Sequence, residues 1–468
     1  MFDTTKAGAL QGVWGAIAPA DERRGLAQAL VAELSSGLAV LSKVAPAITF
    51  FGGARIKPGD PVYAAAERMG ELLAEQNIPP RTGAGPGIMT AVPVGFRRRL
   101  KELQGEVPGE AHLPLPADDE PVQSLTQGFN IKLPFEQSVN PAIDIALELG
   151  HFPTRKLMLY ENALGIVIFP GGLGTLDELF EVWRLKIAGN LSDPFVLYDS
   201  SFWGPLAEAL RASTLKGKRL TVPKDAFALL SLADTPEEAI AAVTHQKSPR
   251  GFEEPPEELG SRIAHELVEG LEYLERLPPA VTVLGGSRLE DDDPAVIAVQ
   301  EVARRLAMEG VPTRAGGPGP FSVALAKGGH RGAKLLAQQA FGMRRDDARN
   351  LYGADRVHLV NDRLTHKVLL SEGSRAVVAL PGGLGTLDEL FSVICQLQTR
   401  KIPDRPVVLI GADFWTPIFA ALKRQMFDGP RKVIGEHDLE IVRITDDPAE
   451  AARLCLTPKP PRPPLTAR

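Results

Sequence analysis

The chain has 468 residues, 44% hydrophobic and 24% charged, proportions that exclude a fibrous or largely disordered protein and allow roughly two to four domains. With 52 Lys+Arg against 58 Asp+Glu, the net charge is −6, opposite in sign to a polyanion binder, so no nucleic acid polymer is expected as a partner. The two cysteines, Cys395 and Cys455, exclude a disulfide scaffold or a cysteine zinc site and fit a reducing cytoplasm.

The first residues, MFDTTKAGALQG, lack a basic segment followed by an apolar core, so no signal peptide is expected. No apolar run reaches the ~18 residues of a membrane span. LVAELSSGL (30–38) reads as a helix, and AITFFGG (47–53) as a buried strand breaking into glycines. PVYAAAERMGELLAEQ (61–76) has helical spacing of Ala65, Met69, Leu72 and Leu73. RTGAGPG (81–87) is a glycine loop stiffened by Pro86. PTRKLMLYENAL is helical and carries Arg155 and Lys156. GIVIFP (165–170) is a second buried strand. The following LDELFEVWRLKIA (176–188) places Leu176, Leu179, Phe180, Trp183 and Ile187 on one helical face. HQKSPRGFEEPPEE (245–258) reads as a linker, and TPKPPRPPLTAR (457–468) as a disordered tail.

After the linker the pattern returns. PGGLGTLDE occurs at 170–178 and 381–389, followed both times by Leu-Phe. SFWGPLAEAL (201–210) matches DFWTPIFAAL (413–422), TFFGGARI (49–56) matches TVLGGSRL (282–289), and RTGAGPG matches RAGGPG (314–319). IAHELVEGL (263–271) stands opposite LVAELSSGL. The chain is therefore a duplication, with domains at 20–245 and 256–455 and a tail at 456–468. Continuous apolar strands alternating with amphipathic helices indicate an α/β fold. The expected architecture is two tandem Rossmann-like domains, each with a doubly wound parallel sheet.

Ligands of such sheets bind at the carboxyl ends of the strands, where glycines let the backbone approach an anion at a helix N-terminus. The candidates are Gly52 and Gly53; Gly83, Gly85 and Gly87; and Gly171, Gly172 and Gly174. None of these loops ends in Gly-Lys-Ser/Thr, and the GxGxxG fingerprint is absent, so neither a P-loop nor NAD is expected. Thr175 and Glu178 have the spacing of a capping box, a structural alternative to a catalytic glutamate. Arg155 lies on a helix taken to start at the opposite edge from the loop, so spacing alone does not bring it there.

FGGAR, GPGIM, LPFEQ, Arg-Lys and PGGLGTLDELFE, in that order, resemble the LOG family of nucleoside 5′-monophosphate phosphoribohydrolases, often labelled lysine decarboxylases. The likeness covers nearly all of the first copy and most of the second. It implies a Rossmann-like dimer with sites near the subunit interface. It further implies that Gly171, Gly172, Gly174 and Thr175 cradle a 5′-phosphate, that Gly83, Gly85 and Gly87 form a second loop, and that Arg155 and Glu178 are catalytic. Gly52, Gly53, Arg55 and Lys156 complete the nucleotide-binding set. In the second copy Gly382, Gly383, Gly385, Thr386 and Glu389 match. The expected partner is a nucleoside monophosphate, AMP-like or cytokinin-like, with no metal and no cofactor.

The sequence departs from the family pattern at Thr90, where glutamate is usual, and at Pro93, where asparagine is usual. In the second copy His366 takes the place of the arginine, before Lys367, and no LPFEQ occurs; AFGMRRDDARN (340–350) fills that region. A degenerate second copy, paired with the first as a covalent pseudo-dimer, is expected; a further homo-oligomer stays open. The alternative is a nucleotide or nucleotide-cofactor carrier without turnover. A true lysine decarboxylase is not expected, because no lysine stands in a recognisable pyridoxal-binding context.

Overall fold

The structure, a computed structural model, describes residues 20–104, 125–134, 139–217, 219–244, 252, 254–332, 338–343 and 354–459. Phe135, Glu136 and Gln137 of LPFEQ, residues 344–353, most of the linker and residues 460–468 lie outside them.

The first half runs α1 (Ala20–Leu41), β1 (Ala47–Phe51), α2 (Pro61–Glu75), β2 (Pro80–Thr82), α3 (Ile88–Gln104), β3 (Gln127–Ile131), β4 (Ile145–Leu149), α4 (Phe152–Tyr160), β5 (Ala163–Ile168), α5 (Leu173–Ile187), β6 (Phe195–Tyr198), α6 (Ser200–Thr214), a hairpin of β7 (Leu215–Lys216) and β8 (Arg219–Leu220), β9 (Ser231–Ala233) and α7 (Pro236–Thr244). The second runs α8 (Pro256–Glu275), β10 (Ala280–Leu284), α9 (Pro294–Met308), β11 (Thr313–Ala315), α10 (Pro320–Gly332), β12 (Gln338–Met343), β13 (Arg356–Val360), α11 (Arg363–Ser371), β14 (Ser374–Ala379), α12 (Leu384–Gln398), β15 (Val407–Leu409), α13 (Ala412–Leu422), α14 (Glu436–Leu439), β16 (Val442–Ile444) and α15 (Pro448–Leu456).

Each half holds a seven-stranded sheet, ordered β4-β3-β2-β1-β5-β6-β9 and β13-β12-β11-β10-β14-β15-β16. All pairings in both sheets are parallel. The central strands are buried along their whole length, as AITFF and AVTVL require. In both sheets the strand order reverses beside the first strand, between β1 and β5 and between β10 and β14. Loops leaving two such strands diverge and open a crevice at their carboxyl ends.

The halves pack through equivalent elements: α5 on α12, α1 on α8, α6 on α13. Equivalent surfaces meeting each other are the mark of a two-fold. Phe180 and Phe391, equivalent in the repeat, meet with ring centroids 4.9 Å apart. One apolar cluster runs through both halves. Reciprocal arms add charge pairs. Arg219 reaches Asp413 of the second half at 2.7 Å and also pairs with Asp293. Arg431 reaches Asp60 and Asp199 of the first half at 3.3 and 2.9 Å.

Candidate active site

The glycine loops of the first half converge at the β1/β5 switch point. The Gly53 N–H donates to the Pro170 carbonyl at 2.9 Å, and Ile88 N–H to the Gly53 carbonyl at 3.3 Å. Gly87 sits at φ +73°, and a Cβ there would stand 2.2 Å from the Gly53 oxygen. Only glycine allows the loops after β1 and β2 to lie this close.

Helix α5 begins at Leu173, with Gly172 as its N-cap and no side-chain cap. The capping-box reading is thereby corrected: Thr175 is already the third residue of the helix and Glu178 the sixth. Glu178 is freed from any structural duty at the helix start. The uncapped N–H groups of the first turn remain suited to an anion. Thr175 lies against the loop, its Oγ1 2.1 Å from where a Cβ on Gly171 would stand.

Arg155 is on the first turn of α4. That helix runs back along β5, so its start lies at the carboxyl edge, contrary to the expectation from spacing. The Arg155 Nε donates to the Phe129 carbonyl at 3.0 Å, and Nη1 stands 3.4 Å from Glu178 Oε1. A Cβ on Gly83 would fall 2.0 Å from Arg155 Nη2, so the guanidinium occupies the space that Gly83 leaves. Arg155 and Glu178 are 8% and 7% exposed. Burial pushes the Glu178 carboxyl up from 4.5 to about 7, with Lys156 and Arg155 opposing the rise.

Lys156 and Arg55 both meet carboxylates. Lys156 pairs with Asp177 and, at 3.0 Å, Glu181. Burial would lower its pKa, but Asp177 and Glu181 hold it well above the ordinary lysine value. Arg55 reaches across to Asp438 of the second half, 3.7 Å away.

Thr90 and Pro93 have structural roles. The Thr90 hydroxyl donates to the Gly85 carbonyl at 3.0 Å and fastens the loop. Pro93 lacks the N–H that would bind the Met89 carbonyl within α3. That oxygen instead accepts from Thr82 Oγ1 at 3.2 Å and Asn140 Nδ2 at 3.3 Å.

Several residues that matter here were not singled out from the sequence. Glu33 of α1 accepts from the Gly150 and His151 N–H groups and the Thr154 hydroxyl, clamping the start of α4. Glu266 does the same for α11, through Asn361 and Asp362. Their shared place in LVAELSSGL and IAHELVEGL was the available signal. Arg81, fully buried, donates to the Glu161 carbonyl at 2.6 Å and to Gln127 at 2.9 Å, holding the other end of α4.

The second half repeats the loop geometry. Gly286 N–H donates to the Pro381 carbonyl at 3.1 Å. A Cβ on Gly382 would meet Thr386 Oγ1 at 2.2 Å, as Gly171 meets Thr175. His366 stands where Arg155 does, its Nδ1 3.5 Å from Glu389 Oε1. Lys367 pairs with Asp388 at 2.7 Å and Glu181 at 2.8 Å. Each loop is also walled by the other half. A Cβ on Gly172 would lie 2.9 Å from the Val433 oxygen, and one on Gly383 2.3 Å from the Thr221 oxygen. Gly174 faces Cys395 Sγ at 3.7 Å, and Gly385 faces Arg184 Nε at 3.8 Å, measured from the same built Cβ positions. Among the described residues no cluster of His, Cys, Asp and Glu could hold a metal ion, and no helix is long and apolar enough to cross a membrane.

A family model described as "Possible lysine decarboxylase" matches residues 119–243 and 330–455, more than half of the chain and one stretch in each copy. The chain belongs to this family. Within this family, which is the LOG family of the sequence resemblance, it is a tandem duplication. It is 36% identical over 74 residues to a protein of Oryza sativa subsp. japonica named "Probable cytokinin riboside 5′-monophosphate phosphoribohydrolase", covering 16% of this chain and 30% of that one. It is 38% identical over 58 residues to the cytokinin riboside 5′-monophosphate phosphoribohydrolase of Mycobacterium tuberculosis, covering 12% of this chain and 29% of that one. The matches thus span about a third of these relatives' length. Among solved structures, the molybdenum cofactor binding protein of Rippkaea orientalis aligns at 20% identity and a TM-score of 0.29, over 44% of this chain and 98% of that one.

Proposed function

We propose that the first copy hydrolyses the N-glycosidic bond of a nucleoside 5′-monophosphate to free base and ribose 5-phosphate. The observation that carries this reading is the buried Arg155–Glu178 pair at the meeting of the glycine loops, 3.4 Å apart, with Glu178 raised to about 7. Perturbed carboxyls in a ligand crevice suit acid–base work near neutral pH. The names of the cytokinin relatives support the same substrate class.

In this reading the N-terminal turn of α5, with Gly171, Gly172, Gly174 and Thr175, holds the 5′-phosphate. Gly52, Gly53, Gly83, Gly85 and Gly87 shape the floor beside it. The bond between C1′ and the base nitrogen breaks with positive charge developing on the ribose. The Glu178 carboxylate faces that charge and takes a proton from the attacking water, whose hydroxyl joins C1′; the proton then passes from Glu178 to the base nitrogen, so that the base leaves neutral and the carboxylate is restored. Arg155 orients Glu178 and binds ribose hydroxyls or phosphate through its fork. The buried, disulfide-free Cys395 and Cys455 are compatible with a cytoplasmic site of action.

The second copy we read as a binding half with altered chemistry, because His366 replaces the arginine beside Glu389. Incubation with a panel of nucleoside monophosphates, followed by chromatography, should reveal free base. Glu178→Gln should abolish release while nucleotide binding persists; unchanged turnover in that variant sinks the assignment.

A further inference from the structure

The two arginines near the glutamates of the signature are distributed unequally. The repeat relates Arg155 to His366 and Arg184 to Cys395. Around the first loop stand its own Arg155 and, from the other half, Cys395, whose Sγ lies 3.7 Å from the Cβ position of Gly174. Around the second loop stand its own His366 and, from the other half, Arg184, whose Nε lies 3.8 Å from the Cβ position of Gly385. Each signature loop therefore has one arginine beside it, and the two arginines come from opposite sides of the pseudo-two-fold. Identical subunits cannot do this, since a substitution in one would appear in both.

Arg184 shares Asp388 with Lys367 and reaches it through Nη1. Lys367 pairs with Asp388 at 2.7 Å. In the first half Lys156 pairs with Asp177, and Cys395, not a second cation, occupies the position equivalent to Arg184. Arg184 pairs with Asp388 through Nη1, and Asp388, Glu389 and Glu181 are the acidic groups around it. Its side chain is 12% exposed, so it is held in place from the first half.

We propose that Arg184 of the first half completes a second phosphosugar-binding site at Gly382, Gly383, Gly385 and Thr386, doing in trans what Arg155 does in cis at the first. This rests on the phosphoribohydrolase reading and deepens it. The second copy is then a ribose 5-phosphate-recognising site whose arginine has changed sides, not an empty remnant.

The test is calorimetric titration of the full chain with ribose 5-phosphate, which carries the recognised group and is not hydrolysed. Wild type should bind two equivalents. Arg184→Cys should bind one, the second weakened about tenfold or more. Arg184→Cys combined with His366→Arg should restore two, because the arginine returns in cis; a purely structural role for Arg184 would not be rescued from that position. Arg184→Lys, which keeps the charge beside Asp388, should fold as wild type yet weaken the second site. A single equivalent in wild type, or two unweakened equivalents in both Arg184 variants, overturns the second site and leaves the first-site reading standing. No binding by wild type sinks the phosphoribohydrolase reading, and this proposal with it.

Discussion

Glu178 is a carboxyl held near neutrality by its surroundings. Burial raises it from 4.5 to about 7, so the folded protein binds this proton more tightly than the unfolded chain does. The stability it contributes is greatest when it is protonated and is lost as pH rises from 4.5 through about 7. Glu178→Gln should therefore stabilise the fold more at pH 8 than at pH 5, by at most about 3 kcal/mol, as read from urea unfolding at both values. If the carboxylate is the working form, kcat/KM of the wild type should rise with pH and level off above about 7. Gly83 offers a second residue-scale test. A Cβ there would stand 2.0 Å from Arg155 Nη2 and 2.8 Å from Met89 Sδ, the far ends of two long side chains and not backbone, so Gly83→Ala should change the melting temperature little. It should lower kcat/KM about a hundredfold by displacing the guanidinium. None of this was readable from the motif alone, because Gly83 and Arg155 are 72 residues apart in the chain.

Helix α4 shows how an element positions a side chain. It is nine residues long, too short to be stable by itself. Glu33 secures its first turn and Arg81 the carbonyls beyond its last. Burial works against the Glu33 carboxylate, yet His151 and Thr154 keep its pKa below the ordinary value. Glu33→Ala should leave the Gly150 and His151 N–H groups unpaired and cost about 2 kcal/mol, measured by denaturant unfolding. Activity should fall by more than the loss of folded protein explains, since Arg155 rides on that turn. The sequence periodicity located α4 but misjudged where its start lies. Which edge a helix reaches depends on its running back along β5, a tertiary fact. The capping-box reading failed for a related reason. Gly172 caps the helix three residues earlier than the Thr-x-x-Glu spacing suggests, because the loop is pinned by Gly53 and Val433 on either side.

At the scale of the whole molecule, the halves are not separable modules. Helices α5 and α12 carry Lys156, Asp177, Glu181, Arg184, Lys367 and Asp388 into one buried network together with α4 and α11. Removing one partner from such a network leaves uncompensated buried charge. The first half expressed alone should be insoluble or inactive, and coexpression with the second half should recover base release; full activity of the lone half would contradict this. The amino-acid sequence by itself determined the duplication, the parallel α/β architecture, the glycine loops and the pairing of each loop with a glutamate. These are carried by local periodicity and by repeated words, and a repeat is visible without folding. Only the tertiary structure decided which arginine meets which glutamate, that Lys156 turns into the interface, and that each loop is walled by the opposite half. Those contacts join residues far apart in the chain, and their geometry is set by packing two sheets against each other about a pseudo-two-fold, for which no local pattern exists.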